Sequence, residues 1–189
     1  MDLNALSREE LVALVQIYAK NWLAHDGCWF LATEEKFGLE TAMELDDRAW
    51  EKFSPVEARR ILETFRIPAS GGLESLERAL DRRLYASVNR QETRRVAPDV
   101  LRFRMIDCRV QHARRQKGLA PFPCKAVGVT EYSLFAQSID RRIVTRCLQA
   151  PPDDIGECYC EWEFRLESPL GRDANPVLGS GQGPAAKGL

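Results

Sequence analysis

The amino-acid sequence predicts an α+β fold in which an N-terminal helical lobe precedes a unit with an antiparallel sheet. Apolar residues recur at helical spacing through most of residues 1–87. From residue 88 the pattern changes to segments of period two around two short helical segments, in the order strand, strand, helix, helix, strand, strand. Antiparallel strand pairs that flank helices are typical of an α+β fold and not of a doubly wound sheet.

Four helices are predicted in the lobe, over residues 7–38, 39–53, 54–65 and 73–87. Ser7 and Glu10 have the spacing of a capping box, and Gly38 is a natural C-cap. Gly27 predicts a kink or a close approach inside the first helix. Aromatic residues at helical spacing predict contacts between these helices, and they are Trp22, Trp29, Phe30 and Trp50.

The second unit, residues 88–167, is predicted to bind a ligand and to pack on the lobe. Its strands are expected over residues 88–96, 100–106, 141–148 and 158–167, and its helices over 108–117 and 124–139. In the last strand Cys158, Cys160, Trp162 and Phe164 point one way, which favours packing as the role of both thiols. Residues 168–189 are rich in Gly and Pro and predict a disordered tail.

Composition excludes several classes of protein. Apolar residues make up 44% of the chain, charged residues 29%, and the net charge is −1. With neither a basic tail nor an aromatic stacking series, no nucleic-acid partner is expected. Acidic residues interrupt the apolar N-terminus, so we expect no export signal, no membrane span and a cytoplasmic location. Cytoplasmic thiols stay reduced, and none of the six cysteines forms a C-x-x-C pair.

The two predicted helices of the second unit carry residue types that suit chemistry. Cys108 and His112 lie four apart on one helical face, a spacing that suits either metal ligation or a nucleophile and its base. Cys124 begins the next helix beside Lys125, where the helix dipole predicts a lowered thiol pKa if the thiol is partly exposed. Packing is the alternative role for Cys124. Glu131 lies on an apolar stripe, where a carboxylate needs a partner or has a raised pKa.

Two kinds of binding site follow from these residues. Cys108, Cys124 and Cys147, with Cys158 or Cys160, have the donor types for zinc, iron or an iron–sulfur cluster, although their spacing matches no recognised ligand pattern. Arg109, Lys125 and Arg146 have the charge to hold a substrate carboxylate, and Tyr132 is predicted beside them. Arg146, with Asp153 and Asp154 downstream, is predicted to form either a bidentate carboxylate site or a solvated ion pair.

The segments "DGCWFLATEEKFGLETAMELD", "FRMIDCRVQHARRQKGLAPFPCKAVGVTEYSLFAQSID", "TRCLQAPPDD" and "YCEWEF" resemble an uncharacterised family of prokaryotic cytosolic proteins that looks related to the aminothiazoline-carboxylate hydrolases. The order of elements is also similar to the four-vinyl-reductase domain. The second resemblance implies a pocket for a small apolar or planar ligand between helices and sheet. Relatives are expected to carry a further cysteine where this chain has Ala150, so a thiolate cage here would lack one donor.

Three functions remain open on the sequence. The first is a protein that binds a small molecule, a cofactor or a metal in a pocket lined by cysteine, glutamate and arginine. The second is a hydrolase of a small ring or amide-like substrate, with Cys124 as nucleophile or metal ligand and Glu131 or His112 as base. The third is a protein-interaction module in which every cysteine is structural. A homodimer is one assembly that we consider.

Overall fold

The computed structural model describes residues 1–168, so the predicted disordered tail lies, except for Ser168, outside the described residues. The helices are α1 (Arg8–Phe37), α2 (Leu39–Phe65), α3 (Gly72–Leu80), α4 (Arg109–Gln116) and α5 (Lys125–Ile139). The strands are β1 (Arg90–Ala97), β2 (Val100–Asp107), β3 (Ile143–Gln149) and β4 (Cys160–Leu166). Short 3-10 turns cover Leu3–Ala5 and Leu84–Ser87.

The predicted α+β architecture is confirmed. The four strands form one antiparallel sheet in the order β1-β2-β4-β3. Because β4 lies between β2 and β3, Trp162 is paired with Phe103 on one side and with Cys147 on the other. Cys158, Cys160, Trp162 and Phe164 are all buried, as their alternation predicted.

The helices cover one face of this sheet in layers. Helix α5 packs against the sheet, α2 packs against α5, and α1 packs against α2. One continuous core joins the lobe to the sheet, with Leu76 and Leu80 of α3 packed together with Phe103 and Trp162. No helix within residues 1–168 has the length and apolarity needed to cross a lipid bilayer.

Helix α1 begins and ends where the sequence predicted. The Ser7 hydroxyl accepts from Glu10 N at 3.2 Å, and the Glu10 carboxylate accepts from Ser7 N at 2.8 Å. Gly38 follows the helix with φ +85°, a conformation that favours glycine. Helix α1 runs through Gly27 without a break, and no neighbouring atom lies within 4 Å of the position that a Cβ on Gly27 would occupy. Neither the predicted kink nor the predicted close approach is present at Gly27.

Most of the apolar surface of α1 is not core. Val15, Tyr18 and Trp29 are 58%, 56% and 67% exposed, so the prediction that Trp29 packs between helices is wrong. Trp22 does pack as predicted, with its ring centroid 6.5 Å from that of Trp50. Because α2 is the main helical neighbour of α1, only a narrow stripe of the α1 surface is covered.

Helix α2 is continuous, whereas the sequence predicted a break at Ser54 and Pro55. Pro55 lies inside the helix, and Ser54 is fully buried. Trp50, Ala58 and Ile61 continue one buried face across the proline. Packing of this face against α5 holds the helix together where the local signal favours a new start.

Helix α3 ends at Leu80, earlier than predicted. Gln91 Nε2 donates to the carbonyl of Leu80 at 3.1 Å, and Arg83 turns inward to donate from Nε to Glu57 Oε2 at 2.8 Å. Turning Arg83 into the core requires the chain to leave the helical path. The C-terminal part of the predicted helix therefore becomes the 3-10 turn Leu84–Ser87.

Candidate functional site

A cavity of about 390 Å³ lies between the helical lobe and the second unit. Residues of α1, α2, α4, α5, β2 and β4 line it, together with the segments that hold Tyr85 and Phe122. Most of the lining is apolar, and a few polar side chains converge on it, which is the usual composition of a small-molecule site.

Aromatic rings form much of the wall. Trp50 of α2 stacks on Tyr85 with 5.9 Å between ring centroids, and Tyr132 of α5 lies 4.7 Å from Trp162 of β4. Phe122 meets Phe30 of α1 edge to face at 5.0 Å. The cavity therefore offers flat, polarisable surfaces of the kind that suit a planar ligand.

Gly128 allows the close approach of α5 to the sheet at this site. A Cβ on Gly128 would lie 2.6 Å from Cζ2 and 2.8 Å from Cη2 of Trp162. The indole is 1% exposed. Only glycine at this position lets the Trp162 ring pack directly on the helix backbone.

Four cysteines line the cavity: Cys28, which is exposed, and Cys108, Cys124 and Cys160, which are partly or fully buried. Burial raises the pKa of Cys108, and burial with the nearby Cys108 and Glu131 raises the pKa of Cys124 to about 12. The lowered pKa predicted for Cys124 is thus wrong, because burial outweighs the helix dipole at the first turn of α5. The Lys125 ammonium adds no charge there, since it pairs with Asp153 Oδ2 at 2.8 Å.

Gln111 holds this end of the cavity in place. Its side chain donates to Phe122 O at 2.8 Å and accepts from Phe122 N at 3.0 Å, which ties α4 to the segment before α5. Its amide nitrogen also lies 3.8 Å from Cys124 Sγ. This contact orients the thiol without ionising it.

Glu131 has the partner that the sequence required. Its Oε1 lies 2.7 Å from Arg83 Nη2, and Glu57 Oε2 accepts from Arg83 Nε at 2.8 Å. All three side chains are more than nine-tenths buried. Burial raises the pKa of Glu131 even though Arg83 opposes the shift. For Arg83, burial alone would lower the pKa, and the two carboxylates outweigh it, so its pKa is raised.

Two further carboxylates line the cavity from the lobe, Asp26 of α1 and Asp46 of α2. Burial raises the pKa of Asp26. Burial, followed by the charges of Asp26, Glu131 and Asp47, raises the pKa of Asp46 to about 7, and the Trp50 side chain only partly offsets this rise. Within residues 1–168 neither Asp26 nor Asp46 forms a salt bridge.

The basic residues that line the cavity differ in position from the acidic ones. Lys20, Arg109 and Lys117 are exposed, so their charges lie on its outer side. Arg114 is buried, but Glu34 binds its guanidinium in bidentate fashion, the longer of the two hydrogen bonds being 3.0 Å. The deep part of the cavity is therefore acidic and aromatic, and its outer part is basic.

Several residues predicted for the site lie elsewhere. His112 does not line the cavity, and its Nε2 lies 3.2 Å from Asp107 Oδ1 on a half-exposed surface. Lys125 faces Asp153, and Arg146 is exposed on β3. Because Lys125 holds Asp153, the predicted arrangement of Arg146 with that carboxylate does not form. Cys108, Arg109, Cys124, Glu131 and Tyr132 do line the cavity.

The predicted metal ligands do not meet as a set. Cys147 packs against the core beside Trp162 and does not line the cavity that holds Cys108 and Cys124. In the part of the chain that the structure describes, no group of three or more His, Cys, Asp or Glu side chains is arranged to hold a metal ion. The predicted metal site of Cys108, Cys124 and Cys147 is therefore wrong, because strand β3 places Cys147 on the far side of Trp162.

Several residues of the site were not singled out from the sequence, among them Asp46, Arg83 and Tyr85. A signal for Asp46 existed, because it lies four residues after Ala42 and four before Trp50 on one helical face. That is the same argument that identified Glu131. Arg83 gave no such signal, since "DRRLY" reads as a solvated basic segment.

Comparison with known proteins gives a family without a named activity. No curated protein matches the chain. Residues 4–166, which include every helix and strand of the fold and every residue of the cavity, match a family of unknown function, DUF6125. The chain therefore belongs to the family of unknown function DUF6125.

Proposed function

We propose that this protein binds a small molecule in the cavity between α1, α2, α5 and the sheet. The observation that carries the proposal is the cavity of about 390 Å³, whose apolar and aromatic walls surround a few buried polar groups. Such a volume is of the size that small-molecule ligands occupy. The order of elements resembles that of the four-vinyl-reductase domain, and this resemblance supports the same function.

The arrangement of charges also favours ligand binding over a purely structural role. Burying a carboxylate without a cation destabilises a folded protein. Asp26 and Asp46 are both partly buried and lie beside Glu131, although each would be more stable in water. Buried carboxylates that destabilise the folded protein are typical of a binding site, where they contact the ligand.

A saturable fluorescent reporter tests this function. N-phenylnaphthylamine is neutral and becomes bright in an apolar site, so we expect its emission to rise to a plateau at one molecule per chain. Gly27→Phe should abolish the rise, because Gly27 lines the cavity and has free space at its Cβ position. Glu35→Phe on the exposed side of α1 is the matched control. A signal that does not saturate, or that Gly27→Phe leaves intact, would contradict the proposal.

A hydrolase of a small ring or amide-like substrate is the second candidate. One observation favours it: a carboxyl group whose pKa is raised to about 7, Asp46, lines the cavity. A group that titrates near neutral pH suits proton transfer. In this version Asp46 would act as the base, in place of Glu131 or His112. Cyclic imides and amides incubated with the protein and with Asp46→Asn test it, and turnover that survives Asp46→Asn would remove Asp46 from this role.

A further inference from the structure

We infer that the ligand of this cavity carries a positively charged nitrogen on a flat, apolar body. The inference rests on the proposed function and specifies the chemical class of the ligand. It follows from the charges in the deep part of the cavity, from the rings beside them and from the position of the basic residues. Aryl-alkylamines and planar amidinium compounds belong to this class.

Three carboxylates line the cavity. Asp26, Asp46 and Glu131 approach the cavity from three different helices. Arg83 is the buried cation among them, and it is already shared between Glu57 and Glu131. Asp26 and Asp46 form no salt bridge within residues 1–168, and only the neighbouring His25 acts on Asp26 as a positive charge. A ligand cation placed between them would supply the missing charge and would reduce their mutual repulsion.

Glu131 provides a second observation that points to a ligand. It is 8% exposed and lines the cavity. Its Oε1 is paired with Arg83 Nη2 at 2.7 Å, and that oxygen has no other partner in the described part of the chain. Because a carboxylate oxygen has two lone pairs, an N–H group of a ligand could bind the second one.

The aromatic walls favour the same class. Trp50 and Tyr85 are close to Asp46, and Tyr132 and Trp162 lie beside Glu131 along the same cavity. Ring faces attract cations, and flat rings stack on flat ligands. Arg83 demonstrates this preference within the fold, since its guanidinium carbon lies 4.7 to 5.7 Å from the centroids of four rings: Trp50, Tyr85, Tyr132 and Phe135.

An anionic ligand would meet the opposite conditions. In the deep part it would face three carboxylates, and the exposed cations Lys20, Arg109 and Lys117 lie outside that part. Arg114 is occupied by Glu34. The basic outer side would slow the entry of a cation, but it does not change which charge is more stable in the deep part of the cavity.

A matched series of naphthalene compounds tests the inference by displacement of bound N-phenylnaphthylamine. Naphthylmethylamine is a cation at neutral pH, naphthalenemethanol is neutral, and naphthoate is an anion, while their ring systems are identical. We expect the cation to bind about tenfold or more tightly than the alcohol, and naphthoate to bind most weakly. In Asp46→Asn the preference for the cation should fall to a few-fold, whereas Glu51→Gln, on the exposed side of α2, should keep it.

The outcomes separate this inference from the proposed function. If the alcohol or naphthoate binds as tightly as the cation, or if no member of the series displaces the reporter, the inference is wrong while the cavity still binds small molecules. If the reporter itself does not bind, the proposed function fails, and the inference fails with it. An unchanged cation preference in both Asp46→Asn and Asp26→Asn would also overturn the inference.

Discussion

Arg83 Nη2 lies 2.7 Å from Glu131 Oε1, which joins the turn after α3 to the centre of α5. The same guanidinium holds Glu57 of α2 through Nε. One buried cation therefore links three parts of the chain directly behind the cavity. The position of Glu131, which lines the cavity, depends on this link.

Removal of the Arg83 charge should destabilise the protein. Arg83→Met leaves two buried carboxylates without their cation, and we expect a loss of about 3–5 kcal/mol in the free energy of unfolding. Urea denaturation measures it. Arg82→Met is the matched control, because Arg82 is the exposed neighbour, and it should cost less than about 1 kcal/mol. A loss of that small size for Arg83→Met would show that the ion pairs do not hold these elements together.

Asp46 should make the protein less stable as pH rises. Its folded-state pKa of about 7 is above its ordinary value of 3.8, so the folded state binds more protons than the unfolded state between these values. Stability from this group is therefore complete below about pH 4 and is lost as pH rises through 7. The groups that act on Asp46 are Asp26 from α1, Asp47 and Trp50 on its own helix, and Glu131 from α5.

The difference between Asp46→Asn and the wild type isolates this effect from other titrating groups. We expect the two proteins to have similar unfolding free energies near pH 4, and the variant to be more stable by about 2–4 kcal/mol at pH 8. Thermal and urea unfolding across this range measure the difference. Glu51→Gln, which removes an exposed carboxylate from the same helix, should show no such trend. A constant difference for Asp46→Asn at all pH values would refute the raised pKa.

Cys124 should react slowly with alkylating reagents. Because its pKa is raised to about 12, very little thiolate exists at pH 8. We expect iodoacetamide to modify Cys124 at least about a hundredfold more slowly in the folded protein than in urea. Mass spectrometry reads the exposed Cys28 in the same sample as an internal control. Rapid modification of Cys124 in the folded state would contradict the raised pKa and would support a role for Cys124 as nucleophile.

Two glycines should respond in opposite ways to the same change. Gly128→Ala places a methyl group against the buried Trp162 ring and should destabilise the protein by about 1–3 kcal/mol. Gly27→Ala meets no atom within 4 Å inside α1 and should stabilise the protein by about 0.5–1 kcal/mol. Denaturation midpoints of the two variants decide this. Equal effects would contradict the packing described at the two sides of the cavity.

Regular local patterns explain why much of the fold was predictable. The capping box at Ser7, the alternation around Trp162 and the two short helices are local signals, and each one appears where the sequence placed it. The continuous helix across Pro55 was not predictable, because packing against α5 overrides the local signal there. Layer contacts of this kind depend on residues that are distant along the chain.

The site was predictable only where a single helix carried the information. Glu131 could be recognised as a carboxylate on an apolar face, and its need for a partner is met by Arg83. The partner itself lies 48 residues earlier in the chain, so no spacing rule could assign it. The pKa of Cys124 was misjudged for the same reason, because its surroundings include residues outside its own helix, among them Cys108 and Gln111.

The amide resonances of Gly27 and Gly128 provide the most direct test of the central claim, that one cavity between α1 and α5 takes a small molecule. These glycines line it from opposite sides. In an NMR titration with naphthylmethylamine, we expect both resonances to shift and to saturate together at one equivalent. Gly38 and Gly118, which do not line the cavity, should stay in place. Shifts confined to surface residues, with Gly27 and Gly128 unchanged at saturation, would contradict the account.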